Sequence, residues 1–228
     1  MRRGCATPAY REWMTDTMAD VRRHNADYGF DGDARSLARG RPVAATLSGT
    51  VADSILATMA LFIRTTRVGK FEVRAQILDD LALRGDETLL DLGCGRGAVL
   101  LAAAKLLPNG RAIGVDIWRA DQTGNSPHNT LTNAAVEGVA DRVEVRTADI
   151  TDLPYDDDSV DVIVSSLAVH NISNQADRLK AVSEAARGLG WTDVTARPLG
   201  GACGGGPVWA PAFWSRPSRL RDAPGVQR

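Results

Sequence analysis

Blocks of apolar positions recur along the middle of this chain, and their period changes from block to block. Short strand-like runs stand at residues 88–92, 111–115, 143–146 and 160–165, of which 88–92 and 160–165 are the most apolar. Each has the length of a strand. Helix-like segments alternate with them. In residues 71–83, Phe71, Ile77, Leu78, Leu81 and Ala82 can share one face. Residues 98–107 are rich in Ala and Leu and stop at Pro108-Asn109-Gly110. Residues 130–137 end at Gly138, and residues 178–187 form a last helix. Strands alternating with helices predict an α/β fold, with a parallel sheet flanked by helices on both faces. Right-handed crossovers bring the C-terminal strand ends to one edge, where such folds bind ligands.

Three zones follow from this pattern. Residues 1–67 are an N-terminal extension. It is polar with turn signals at Gly29, Gly32, Gly40 and Pro42, then strongly apolar from residue 43 to 63. That apolar run has the length of a membrane span. Asp53 stands in its middle, among Thr46, Ser48, Thr50, Ser54 and Thr58. A charge there costs about 2.5–3.5 kcal/mol even on a lenient insertion scale. The run is therefore read as a buried or interfacial helix, with membrane association through residues 43–63 as the less favoured reading. Residues 68–187 are the α/β domain. Residues 188–228 hold eight glycines, five prolines and three of the five tryptophans, with no Lys or Glu and no regular period. They read as an irregular tail, so the sheet is expected to be truncated after the fourth strand and its helix.

Composition adds limits. The formal net charge of -1 argues against a general nucleic-acid binder. Cys5, Cys94 and Cys203 are few, odd in number and far apart, which fits neither zinc ligation nor a disulfide framework. A reducing, cytoplasmic location fits best. The basic start Met1-Arg2-Arg3-Gly4-Cys5 leads into no apolar core, so no secretory signal is expected. Asp156-Asp157-Asp158 reads as a solvated turn, and no metal site is expected.

The chemistry concentrates in Leu89-Leu90-Asp91-Leu92-Gly93-Cys94-Gly95-Arg96-Gly97. A strand runs into three alternate glycines, and a helix follows. Glycine accepts positive φ and has no Cβ, so a ligand can lie directly against such a turn. A helix beginning near Ala98 offers free N–H groups to an anion. A nicotinamide-binding fold would also carry such a loop, and Gly93, Gly95 and Ala98 satisfy the looser dinucleotide pattern. Asp91 argues against that reading, because a carboxylate suits a cationic amino group and sits poorly beside a pyrophosphate. Asp116 ends the next strand, where a ribose-binding acid belongs in either reading. Asp149 follows the third strand in Ala148-Asp149-Ile150-Thr151-Asp152-Leu153-Pro154 and can accept from an adenine amino group.

These segments together resemble the class I S-adenosylmethionine-dependent methyltransferases. The first motif of that family is similar to Leu90-Asp91-Leu92-Gly93-Cys94-Gly95-Arg96-Gly97, and the second to Gly114-Val115-Asp116-Ile117. The third is similar to Ala148-Asp149-Ile150, followed by Leu153-Pro154-Tyr155 and Ser159-Val160-Asp161-Val162-Ile163. The resemblance implies a Rossmann-like methyltransferase fold, S-adenosylmethionine as cofactor and a small-molecule acceptor. It implies that Gly93, Gly95 and Gly97 lie against the methionine and ribose, and that Asp91 faces the amino end. Asp116 would take the ribose hydroxyls, Ile117 the adenine face, and Asp149 with the Ile150 backbone the adenine amino group. Ser165 would border the methyl donor. For Gly97, helix–strand packing is the competing reading; for Asp149 it is a turn cap. Cys94 is expected to be a small filler rather than a nucleophile.

His170, in Ser166-Leu167-Ala168-Val169-His170-Asn171-Ile172, is the candidate general base, against a histidine that only bonds its own loop. The polar turn from Asp121 to Ser126 fits pocket lining and plain loop equally. The resemblance stops near residue 187, where the family continues through a Pro-Gly-Gly segment into a fifth strand. An aberrant terminus, for instance through a shifted reading frame, accounts for that. Two further readings follow: a non-catalytic remnant and a nicotinamide-dependent oxidoreductase.

Overall fold

The computed structural model describes residues 8–28, 54, 57, 70–119, 124–166, 168–190 and 212–215. Their elements, in order, are α1 (Pro8–Arg22), α2 (Lys70–Asp80), β1 (Thr88–Leu92), α3 (Leu100–Lys105), β2 (Arg111–Asp116), α4 (Pro127–Val136), β3 (Val143–Thr147), β4 (Val162–Ser165), α5 (Gln175–Gly188) and β5 (Ala212–Ser215). The sheet order is β3-β2-β1-β4-β5. The first four strands are parallel, as the alternation of strands and helices predicts, and the fold is Rossmann-like.

Period-two alternation divides the core into two layers. Leu89, Ala112, Val162 and Val164 face the layer containing α1, α2 and α3. Leu90, Leu92, Ile113, Val115 and Ile163 face the other, which α5 closes with Ala185 and its C-cap Leu189. Asp91 shares the face of Leu89, so this carboxylate points into a helix-covered layer. Its neighbours across the sheet are Gly114 and Val164.

Helix limits shift from the sequence expectation for local reasons. The helix expected over 98–107 shortens to Leu100–Lys105, because the chain is still turning at Gly97, with φ of 87°. The helix expected at 130 begins at Pro127, where the Ser126 side chain accepts the Asn129 N–H at 3.2 Å. The last helix begins at Gln175, capped by Asn174 accepting the Asp177 N–H at 2.7 Å.

Two findings were not expected. First, the sheet does not stop after its fourth strand. Ala212–Ser215 pairs antiparallel with β4, matching Val162 with Ser215 and Ser165 with Ala212. Four residues in a stretch dense in Gly and Pro are too short a signal for periodicity to find. Second, residues 8–22 form a helix although the segment reads as polar. Met14, Met18 and Val21, at helical spacing, bury the stripe that docks it. The apolar run 43–63 lies outside the described residues, except Ser54 and Ala57. Among the described residues, no helix is long and apolar enough to cross a membrane.

A buried ion pair straps the end of α1 to the α/β layer. Lys105 Nζ donates to the carbonyls of Asp20 and Arg23 at 3.1 and 3.0 Å. It also pairs with Glu137 Oε2 at 2.9 Å. Glu137 Oε1 accepts the N–H groups of Asn25 and Ala26 at 2.7 and 2.8 Å. The Glu137 side chain is fully enclosed, and that of Lys105 is 7% exposed. Without Glu137 the buried ammonium keeps only two carbonyls and the more exposed Asp20 carboxylate at 3.5 Å, and breaking a buried pair costs roughly 3–5 kcal/mol. Glu137→Ala is therefore expected to lower unfolding stability by about 3 kcal/mol in denaturant titration. It should also speed amide exchange selectively over residues 20–28.

Candidate functional site

The C-terminal strand ends and the loops after them enclose a cavity of about 440 Å³. The glycine loop is its floor. Gly93 and Cys94 both donate to the Val115 carbonyl, at 2.8 and 3.1 Å, which folds the loop across the end of β2. Gly93, Gly95 and Gly97 have φ of 75°, 51° and 87°. At Gly93 a Cβ would stand 2.2 Å from the Ala168 Cβ, so its bareness lets the loop after β4 close down. At Gly97 a Cβ would meet Leu101 and Thr130 at 3.0 and 3.1 Å, so this glycine serves the packing of α3 and α4. Thr130 Oγ1 donates to the Gly95 carbonyl at 2.7 Å, holding the loop from the α4 side.

The structure brings Asp91, Gly93, Gly95, Asp116, Ile117, Asp149, Ile150 and His170 to the wall of this one cavity. Gly97 and Ser165 are not on it. Ser165 is buried, and its hydroxyl donates to the Leu92 carbonyl at 3.1 Å, linking β4 to β1. His170 lies in the short turn Val169–Asn171, beside Ser166, Asn171 and Ser173, which also line the cavity. Among the other lining residues are Tyr28 and Arg74, which were not singled out from sequence, and Asn125. Tyr28 and Arg74 lie outside the motif region and carry no local signal. Asn125 belongs to the polar turn whose two readings the sequence left equal, and the structure places it at the cavity.

Asp91 dominates the electrostatics. It is 1% exposed, and its Oδ1 has no hydrogen-bond partner among the described residues. Burial pushes its carboxyl up to about 7, against the pull of Arg74 and of the Leu100 N–H, with Asp116 adding to the rise. Asp116 is tied to the loop: its Oδ2 accepts the Gly95 N–H at 2.9 Å and its Oδ1 the Trp118 N–H at 2.7 Å. Asp149 does cap a turn. Its Oδ1 accepts both the backbone N–H and the hydroxyl of Thr151 at 2.8 Å, and the Thr151 N–H is the main cause holding its carboxyl low. Burial pushes the Cys94 thiol well up, which opposes a nucleophilic role. Ile117, by contrast, is 42% exposed, a large apolar surface left open at the cavity.

A parallel sheet with a glycine turn after its central strand and acids at successive strand ends is a Rossmann-like arrangement. Residues 90–190 match the family described as a methyltransferase domain. That stretch, a little under half of the chain, thus resembles a methyltransferase domain. It is 30% identical over 209 residues to an uncharacterized 37.1 kDa protein in transposon TN4556 of Streptomyces fradiae, covering 90% of this chain and 48% of that one. It is 35% identical over 99 residues to an arsenite methyltransferase of Halobacterium salinarum, covering 43% of this chain and 24% of the relative. A solved structure, the YcgJ protein of Bacillus subtilis, is similar with a TM-score of 0.43 and 28% identity, over 51% of this chain and 45% of that one. The chain spans less than half the length of each of these proteins. None of them supports a nicotinamide oxidoreductase.

Two outcomes follow from this geometry. Gly93→Ala forces a Cβ into Ala168 at positive φ, a strain of about 1–3 kcal/mol that must be relieved by opening the β4 loop. Its melting temperature should fall by roughly 5 °C in a thermal scan. Asp91 makes stability depend on pH. Unfolded, its carboxyl ionises near 3.8, whereas folded it keeps its proton up to about 7. Between those values the folded state binds more protons, so this contribution to stability falls as pH rises across the window. Denaturant midpoints at pH 5 and pH 8 should differ less for Asp91→Asn than for the parent chain.

Proposed function

We propose that this cavity binds S-adenosylmethionine and that the domain transfers its methyl group to a small-molecule acceptor. The observation that carries the reading is the enclosed Asp91 carboxylate under the Gly93–Gly95 turn, with an oxygen that no described residue satisfies. A buried acceptor of this kind needs a donor, and a cationic amino group is the best one. Arg74 lies on the same cavity wall and acts on Asp91 electrostatically. Opposite charges side by side suit a zwitterion. Asp91 then takes the α-amino group of the methionine end and Arg74 its carboxylate.

The remaining roles follow the cavity wall. Asp116 binds the ribose. Ile117 and Ile150 present apolar surface to the adenine faces, and the exposure of Ile117 fits a platform that a flat ring covers. Asp149 keeps one oxygen clear of its turn and accepts from the adenine amino group. Gly93 and Gly95 permit close approach, while Gly97 and Ser165 hold the surrounding loops. The cofactor, when bound, supplies an activated methyl group on a sulfonium, so the protein contributes mainly alignment and exclusion of water. His170 stands on the acceptor side and would receive a proton from acceptors that must lose one. The similarity to an arsenite methyltransferase supports a small acceptor. A cytoplasmic location completes the proposal, supported by the free thiol of Cys94.

Calorimetry with S-adenosylhomocysteine, 5′-methylthioadenosine and NAD tests the reading. The homocysteine form and methylthioadenosine are expected to bind, and NAD is not. Arg74→Gln should weaken the homocysteine form about tenfold or more and leave methylthioadenosine nearly unchanged, because the latter has no carboxylate. Binding of NAD with no response to the homocysteine form overturns the proposal.

A further inference from the structure

The geometry points to Asn125 as a ribose ligand that shares the diol with Asp116 and sets the preference for a ribonucleoside. This rests on the S-adenosylmethionine reading of the cavity. An ionised carboxylate offers about four acceptor directions. At Asp116 the protein already uses three: the Gly95 N–H on Oδ2 at 2.9 Å, and the Trp118 N–H at 2.7 Å and Asn125 Nδ2 at 3.5 Å on Oδ1. Taking both hydroxyls of a vicinal diol would displace the longest of these, the 3.5 Å contact from Asn125 Nδ2. One hydroxyl can be accepted without that loss, and the second needs another acceptor close by.

Asn125 supplies it. Its Nδ2 faces two acceptors, Asp116 Oδ1 and the Arg119 carbonyl at 3.3 Å, which fixes the orientation of the amide. Its Oδ1 is buried, lacks a partner among the described residues, and belongs to a side chain on the cavity wall. The turn that carries it is built to stay in place. Asn129 Nδ2 donates to the Gly124 carbonyl at 2.7 Å. Gly124 has φ of 72°, and a Cβ there would stand 2.9 Å from Arg96 Nη1. A plain surface loop needs neither the close contact nor a buried acceptor without a donor. The donor groups of an adenosine nearest an Asp116-bound hydroxyl are on the same ribose, so the second hydroxyl donates to Asn125 Oδ1.

The test uses S-adenosylhomocysteine and its 2′-deoxy and 3′-deoxy forms in calorimetry with the full chain. Loss of either hydroxyl should weaken binding to the parent protein by about threefold to tenfold. Asn125→Ala should bind the ribo form several-fold more weakly and cease to distinguish it from one of the two deoxy ligands, while still rejecting the other. Asn125→Ser, which leaves a hydroxyl oxygen as acceptor, should restore part of the lost discrimination. Unchanged discrimination by Asn125→Ala against both deoxy ligands overturns the inference, since Asn125 then only braces the turn. Loss of discrimination at both positions overturns it too, because Asn125 would then act through Asp116. If the parent protein binds methylthioadenosine and the homocysteine form but ignores both hydroxyls, the inference fails while the cofactor reading stands. If it binds neither, the cofactor reading itself has failed.

Discussion

A carboxylate enclosed at the end of the central strand is the constraint around which this domain is arranged. Asp91 falls on the helix-covered face by strand alternation, since Leu89 two residues earlier lies in that layer. The adjacent position on β2 is Gly114, where a Cβ would stand 2.7 Å from both Cys94 Sγ and Leu100 Cδ2. That missing side chain lets the glycine loop and the start of α3 settle low on the sheet. The Leu100 N–H then reaches the Asp91 carboxylate. One residue without a side chain on β2 thus decides how deeply the loop after β1 sits, and the depth encloses the acid. A buried acid with one oxygen unmet is costly for a protein that makes no use of it. At the floor of a cavity, that cost is offset when a cation arrives.

The second half of the cavity comes from outside the strand-end loops. Tyr28 and Arg74 reach it from the N-terminal part of the chain, and the segment carrying Tyr28 is held by buried charge. The ammonium of Lys105 stands where α1 ends, accepted by two carbonyls there, so it acts as a C-terminal cap from another element. Glu137 compensates it and turns its second oxygen to the next two N–H groups. Beyond them Asp27 pairs with Arg96 at 3.0 Å, and Asn133 Nδ2 bridges the Asp27 and Arg96 carbonyls at 3.0 Å each. Arg96 belongs to the glycine loop. Strap and loop are therefore one polar network, and Tyr28 enters the cavity wall as its last member. Burial and the neighbouring Glu137 both push the Tyr28 phenol up, so it stays neutral there.

What could be read in advance follows from how local each signal is. β1 was legible to the residue because Thr88–Leu92 is an apolar run closed by Gly93, and Asp116 was legible because the strand before it ends on it. Each needs only its own neighbours. The helix at Pro8–Arg22 was not legible, because its buried stripe is three side chains wide and the rest of its surface is polar. Arg74 and Tyr28 were not legible as site residues, since only tertiary packing brings them to Asp91. The fifth strand, Ala212–Ser215, owes its state to an open β4 edge and not to its own pattern. Gly97 and Ser165 show the converse limit. Motif position named them, yet their contacts are with Leu101, Thr130 and the Leu92 carbonyl rather than with the cavity.

Asp116 shows why residues of such a site cannot be sorted into structural and ligand-binding sets. Its carboxylate holds the Gly95 N–H, so it fixes the turn on which a cofactor would lie. The same group is the acid proposed to bind a ribose. Replacing it would disturb the loop and the ligand together, and a loss of binding would not say which had failed. Chemistry removed from the ligand does separate them, because a hydroxyl deleted from the sugar leaves every protein–protein bond intact. The same logic applies to Asp91, whose bond from Leu100 is structural and whose Oδ1 is not. In this domain the atoms left over by the fold, such as Asp91 Oδ1, narrow the residues named by motif to those with an acceptor to spare.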